Sequence, residues 1–262
     1  RFLNAGEGEI VFTKGGTEAI NLVASGLGAS LNEGDEIVLT EMEHHANIVP
    51  WHFLRERKGV VLKFVPVLDD GRLDLEALPG LLTERTRVVA VTHMSNVLGT
   101  INPVAQIARI AHDAGALVLV DGCQGVVHLD VDVKALDVDF YVFSAHKLYG
   151  PTGVGVLYGK AQALAALPPY QGGGEMIGEV RLDAITYADP PHRFEAGTPP
   201  ILEAIGLGAA IEWLNTLDRK AAAEHEARLY GRVMEGLKGA NWLQPIGQAP
   251  GKGAILSFNV EG

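Results

Sequence analysis

The 262-residue sequence holds a single cysteine, Cys123. One cysteine excludes a disulfide within these residues and would leave any zinc site to histidines and carboxylates. No apolar run reaches the roughly 18 residues that a membrane-spanning helix needs. The opening Arg1-Phe2-Leu3-Asn4-Ala5-Gly6 has no signal-peptide core and no initiator methionine. No basic run exceeds the mixed Arg55-Glu56-Arg57-Lys58, and the net charge is −11. That balance argues against a nucleic-acid partner, because phosphate backbones call for clustered Lys and Arg. Internal repeats and low-complexity stretches are also missing. A reducing, cytoplasmic setting with neither membrane nor nucleic acid as partner is the expectation.

What is present is ordinary for a globular α/β protein: 47% hydrophobic and 20% charged residues, in a chain long enough for one large domain with a buried core. Short β-rich apolar runs alternate with longer helical patterns. Strands are predicted at 9–13, 36–40, 60–67, 87–93, 116–121, 140–144 and 153–158, and helices at 17–31, 46–58, 75–82, 103–114 and 161–166. This alternation implies βαβ units and a mostly parallel central sheet flanked by helices. The stretch Leu117-Val118-Leu119-Val120 is apolar on both faces, as in a sheet covered on both sides. Beyond residue 199 a helical pattern runs over 202–237 with a break near 215–218, and 254–260 alternates like the first strand of a second unit.

Ligands in such folds sit beyond the carboxyl ends of the strands, so the polar residues there are the candidates. The first strand leads into Lys14-Gly15-Gly16-Thr17-Glu18. By itself this reads as an N-cap at Thr17; alternatively, two glycines and a hydroxyl at a helix start form an anion site. After the second strand, His44 either caps the next helix or stacks on a flat cofactor. His44 and His45 make a poor metal pair, since adjacent residues point apart in regular structure. Asn96 after the fourth strand serves a turn or meets a ligand hydroxyl. Asp121 ends the buried fifth strand, where a charge is costly unless paired. It either caps the next turn or faces a cation such as a protonated pyridine nitrogen. Lys147, just past the sixth strand, is either a solvated surface residue or a dehydrated amine suited to act as a nucleophile. Ser144 and His146 beside it are phosphate-capable donors. Together these groups match what pyridoxal-phosphate (PLP) chemistry asks of a protein.

At these residues the chain resembles the class V aminotransferase superfamily of fold-type I PLP enzymes, and within it most closely the group II, SufS-like cysteine desulfurases, some of which also act on selenocysteine. The likeness rests on Gly16-Thr17-Glu18-Ala19-Ile20-Asn21, Glu43-His44-His45-Ala46-Asn47-Ile48-Val49-Pro50-Trp51, Met94-Ser95-Asn96-Val97 and Val120-Asp121-Gly122 with Gln124. It continues through Ser144-Ala145-His146-Lys147-Leu148-Tyr149-Gly150-Pro151-Thr152-Gly153, Gly172-Gly173-Gly174-Glu175-Met176-Ile177 and Phe194-Glu195-Ala196-Gly197-Thr198-Pro199. The long lysine motif and the Gly-Gly-Gly-Glu-Met-Ile stretch are specific to this branch.

The resemblance implies the PLP-transferase large domain over residues 1–215, lacking its N-terminal segment, and over 216–262 a linking helix and the start of a small α/β C-terminal domain. It implies pyridoxal 5'-phosphate as cofactor and no metal. Lys147 would hold the cofactor and shuttle protons, Asp121 would pair with the pyridine nitrogen, and Gln124 would bond the ring hydroxyl. Asn96 would face the substrate, and His44 would stack on the ring and assist proton transfer. Thr17, Ser144 and His146 would hold the phosphate, with the N–H of Gly16 contributing. Thr198 would reach the phosphate of a neighbouring subunit in a homodimer.

The implied reaction removes sulfur or selenium from L-cysteine or L-selenocysteine to give alanine and an enzyme persulfide, destined for a sulfur-acceptor protein or iron–sulfur cluster assembly. The persulfide-forming cysteine and the arginine for the substrate carboxylate would lie beyond residue 262, so the isolated chain is expected to be inactive. An epimerase, lyase or aminotransferase of the same family is the alternative. Two positions depart from the family's usual pattern: Gly16 replaces the first of two hydroxyl residues, and Cys123 occupies a site that is usually small and apolar. Cys123 is read as a packing residue rather than a sulfur acceptor.

Overall fold

The computed structural model describes residues 1–260. In it, β1 (Ile10–Thr13), β2 (Glu36–Thr40), β3 (Val61–Val65), β4 (Thr86–Thr92), β5 (Leu117–Asp121), β6 (Phe140–Ser144) and β7 (Gly155–Gly159) form one seven-stranded sheet. Their order is β1-β7-β6-β5-β4-β2-β3. β2 pairs in parallel with β3 and β4, β4 with β5, and β5 with β6. β7 runs antiparallel to both β1 and β6, because the connection over 145–154 returns without a crossover helix. β1 therefore points the same way as β6. The carboxyl ends of β1, β2, β4, β5 and β6 all open on one edge of the sheet.

Two-sided burial explains the uninterrupted apolar runs. In β6, Phe140 and Val142 enter one core cluster while Tyr141 and Phe143 enter the other. In β5, Leu119 and the pair Val118 and Val120 divide in the same way, as the two-residue period of a strand requires. α1 (Gly16–Gly28) and α2 (Val49–Lys58) cover the first face through Ile20, Val23, Leu27, Trp51 and Leu54. The second face is covered by α3 (Leu78–Leu81), α4 (Val104–Asp113), α5 (Gly125–His128) and α6 (Val133–Leu136). α4 supplies Val104, Ile107, Ala108 and Ala111, the i, i+3, i+4, i+7 stripe of an amphipathic helix. α7 (Ala161–Ala166) returns to the first face with Ala163 and Leu164.

The remaining residues form an antiparallel hairpin of β8 (Ile177–Val180) and β9 (Ile185–Tyr187), then α8 (Ile201–Leu214), α9 (Arg219–Gly236) and the antiparallel pair β10 (Leu243–Ile246) and β11 (Ser257–Val260). The predicted break at 215–218 is there, and the Asp218 carboxylate restarts the helix by accepting the Ala221 N–H at 2.9 Å. One expectation is corrected, and two features have no counterpart among the predicted elements. The helix over 75–82 shrinks to the single turn α3, because Asp74 takes up the N–H groups of Glu76 and Ala77 and Pro79 follows. The β8–β9 hairpin was not read from the sequence: its strands are exposed throughout and carry no one-sided alternation. β10 was also missed, since Pro245 lowers its strand signal. No helix among the described residues is long and apolar enough to cross a membrane.

Candidate active site at the strand ends

Asp121 is the last residue of β5 and is 5% exposed. Its Oδ1 accepts the N–H of Cys123 at 3.0 Å, so it does close the following turn. No salt bridge to Asp121 forms among the described residues. A buried carboxylate with one backbone donor and no cation is a costly arrangement in an apolar core. It suits a site whose positive partner is a protonated ring nitrogen. The turn beneath it is tightly built. A Cβ at Gly122 would run into the Tyr141 ring, so only glycine lets the chain pass there. The Tyr141 hydroxyl bonds His93 Nδ1 at 2.9 Å, with the two rings edge to face. Burial holds His93 down at about 4, hence neutral.

Ser144 ends β6 and is also buried. Its Oγ accepts the N–H of Gly16 at 2.8 Å, which ties β6 to the start of α1. Gly15 is the N-cap of α1, Gly16 its first residue, and Thr17 lies exposed on the first turn. The N-cap reading of Thr17 is thus corrected: with Gly15 in that place, no side chain caps the helix, and Glu18 reaches back to the Lys14 N–H. The Gly16 N–H is engaged by Ser144 rather than open. Past Ser144 the chain makes a short 3-10 turn, Ala145–Lys147. Lys147 is half-buried at its end and His146 is exposed. Cys123 stands between Asp121 and Ser144, with Sγ 3.9 Å from Ser144 Oγ. Burial, reinforced by the Asp121 charge, pushes its thiol up to about 12. Such a thiol stays protonated and is a poor nucleophile, in keeping with a packing role.

His44 precedes the 3-10 turn His45–Asn47 and caps it, Nδ1 accepting the Ala46 N–H at 3.1 Å. Its ring is exposed at the same edge of the sheet. The preceding residue holds the edge together. Glu43 is buried, accepts from Thr40 Oγ1 at 2.6 Å and from the Thr92 N–H at 2.8 Å, and receives the Asn47 amide at 2.8 Å. Asn47 in turn accepts from the Trp51 indole at 3.1 Å. Thr92 is the register partner of Asp121. One carboxyl therefore links the His44 loop to the strand beside Asp121. Burial raises Glu43 to about 8 against the pull of these donors. Neither Glu43 nor His93 was singled out from the sequence. A carboxyl and an imidazole at strand ends, flanked by apolar residues, were the available signals. Asn96 is exposed, and the turn role open to it is filled by Ser95, whose Oγ accepts the N–H groups of Val97 and Leu98. Gln124 is half-buried at the start of α5. Thr198 is exposed in the loop before α8.

The residues at this edge fit a flat, phosphorylated, cationic-ring cofactor: a buried carboxylate without a cation, a half-buried amine one strand away, an exposed imidazole, and a hydroxyl beside a helix N-terminus. Comparison with known proteins agrees. The chain is 53% identical over 262 residues to a cysteine desulfurase of Dickeya dadantii, covering 99% of this chain and 63% of that relative. It matches the crystal structure of the Escherichia coli cysteine desulfurase CsdA with TM-score 0.95 at 41% identity, covering 100% of this chain and 65% of that one. A mutant of C-DES with glycine covalently linked to the PLP cofactor matches with TM-score 0.87 at 27% identity, over 100% of this chain and 70% of that one. C-DES is a cystine C-S lyase. The chain thus spans somewhat less than two thirds of the length of its two more similar relatives. The profile described as "Aminotransferase class-V" matches residues 1–262, and the chain belongs to that family, a family of pyridoxal-phosphate enzymes.

Proposed function

We propose that this chain carries the PLP site of a cysteine desulfurase, which takes sulfur from L-cysteine, or selenium from L-selenocysteine, leaves alanine, and passes the sulfur to a thiol and then to an acceptor protein. The observation that carries the proposal is Asp121: a buried carboxylate with no cation among the described residues, one strand from the Lys147 turn. Bound PLP supplies an electron sink for the carbon bearing the substrate amine.

The residues of the chain do the rest. Asp121 would pair with the ring nitrogen and keep it protonated. Lys147 would hold the cofactor through its amine and, once released, move the proton at the substrate Cα. His44 would stack on the ring, Gln124 would bond the ring hydroxyl, and Asn96 would face the substrate. Thr17, Ser144 and His146 would hold the phosphate. Thr198 reaches across to the site of a second subunit, so the working unit is a homodimer in the cytoplasm. Residues 1–215 form the cofactor domain, and 216–262 begin the smaller one.

The test uses the purified protein in the full length its gene encodes, loaded with PLP and given L-cysteine with an excess of a reducing thiol, which releases the transferred sulfur as sulfide. Alanine and sulfide are expected in equal amounts; Lys147→Ala loses both, and its visible absorbance no longer shows the lysine-bound cofactor. Intact absorbance with neither product would sink the proposal. A second reading is favoured by the likeness to C-DES: a C-S lyase acting on cystine. Pyruvate formed from L-cystine in a separate assay without reductant, with no alanine formed from L-cysteine, would select it.

A further inference from the structure

Ser144 Oγ is 6% exposed and receives two donors, the Gly16 N–H at 2.8 Å and, more weakly, the Cys123 thiol with Sγ at 3.9 Å. A hydroxyl has two lone pairs and one proton. With both lone pairs so occupied, the proton is left to donate, and among the described residues it finds no oxygen or nitrogen acceptor. The same three residues are also coupled by space. A Cβ placed on Gly16 would lie 2.8 Å from Cys123 Sγ and 3.3 Å from Ser144 Oγ. The sulfur at 123 therefore occupies the volume that a side chain at 16 would need. Positions 16 and 123, the two places where the sequence departs from the family's usual pattern, are thus neighbours.

We propose that Gly16 and Cys123 act as one coupled positioning pair that commits the Ser144 hydroxyl to donate into the anion cradle at the start of α1. The proposal rests on the PLP reading above, because the anion it serves is the cofactor phosphate. Cys123 does this as a protonated thiol and needs no reactivity of its own. Burial keeps that proton in place across the neutral range.

The experiment is a double-mutant cycle on the full-length protein. It measures equilibrium affinity for PLP and for pyridoxal, which lacks the phosphate, and the melting temperature of the cofactor-free protein. Cys123→Ala is expected to weaken PLP about two- to tenfold, the range of one hydrogen bond, with pyridoxal affinity unchanged. Cys123→Ser restores PLP affinity. Gly16→Thr is expected to weaken PLP more than Cys123→Ala does and to lower the melting temperature. The double variant G16T/C123A recovers most of both losses, since the alanine vacates the space the threonine fills. Gly16→Ala, which adds only the Cβ, gives the same pattern more mildly if the threonine variant folds poorly.

Losses that simply multiply in the double variant, or equal weakening of PLP and pyridoxal by Cys123→Ala, would overturn the pairing. Failure of the unaltered protein to bind PLP would instead overturn the functional reading, and with it the donor role of Ser144. The melting temperatures would still decide the steric half.

Discussion

Two buried ionisable groups give this molecule a distinctive pH response. Glu43 sits at about 8 in the fold, above its ordinary 4.5, because burial disfavours its charge. Between those values the unfolded chain has lost the proton and the folded one keeps it, so the stability from Glu43 falls as pH rises from about 4.5 to about 8. His93 is the mirror image: burial lowers it from 6.5 to about 4. Between those values the unfolded chain binds the proton and the fold does not, so stability rises with pH. The two slopes oppose one another between about 4.5 and 6.5, and Glu43 acts alone from 6.5 to 8. There it contributes at most one proton, about 1.4 kcal/mol per pH unit. In Glu43→Gln the fall in unfolding free energy from pH 6.5 to 8, followed by urea denaturation, should be smaller than in the parent. An identical fall in both proteins would show that Glu43 is already ionised.

At the scale of elements, the cofactor edge depends on strands whose identity is plain in the sequence and on connections whose geometry is not. β4, β5 and β6 are legible because burial on both faces demands unbroken apolar runs such as Val118-Leu119-Val120. α9 is a different case. It has no fully buried residue along its 18 positions, so its end interactions carry more of its stability. Asp218 caps its N-terminus, and Arg219 reaches the carbonyls of Val126, Val127 and Leu129 at 2.8–3.1 Å and the Asp130 carboxylate at 3.0 Å. Removing the cap with Asp218→Ala should cost about 0.5–2 kcal/mol, read as a lower urea midpoint and reduced helical circular dichroism. An unchanged midpoint would mean that the Arg219 contacts alone hold the helix start. The exposed hairpin was illegible for the opposite reason to the core strands: no face of it is buried, so nothing in the pattern marks it.

The whole molecule presents apolar side chains to solvent on its hairpin and on α8: Val180, Leu182, Ile185 and Tyr187 on one, Ile201, Leu202 and Ile205 on the other. Exposed apolar groups collected in this way are usual at subunit contacts. On the proposed homodimer, the full-length protein should sediment at twice its chain mass, and Leu182→Asp should shift it toward monomer while weakening PLP affinity through the loss of Thr198 from the neighbouring site. A variant that turns monomeric with unchanged PLP affinity would separate dimerisation from the site.

The sequence by itself determined the layer order, the strand ends that bear chemistry, and the inventory of Lys147, Asp121, His44 and Ser144, because period, burial and polarity are local properties written along the chain. It could not say which of these groups share a hydrogen bond. The pairing of Gly16 with Ser144, the exclusion of a side chain at 16 by Cys123, and the reach of Glu43 to Thr92 join residues far apart along the chain. Only the closing of the sheet brings them within bonding distance, and close packing then decides which atoms are left free to meet a ligand.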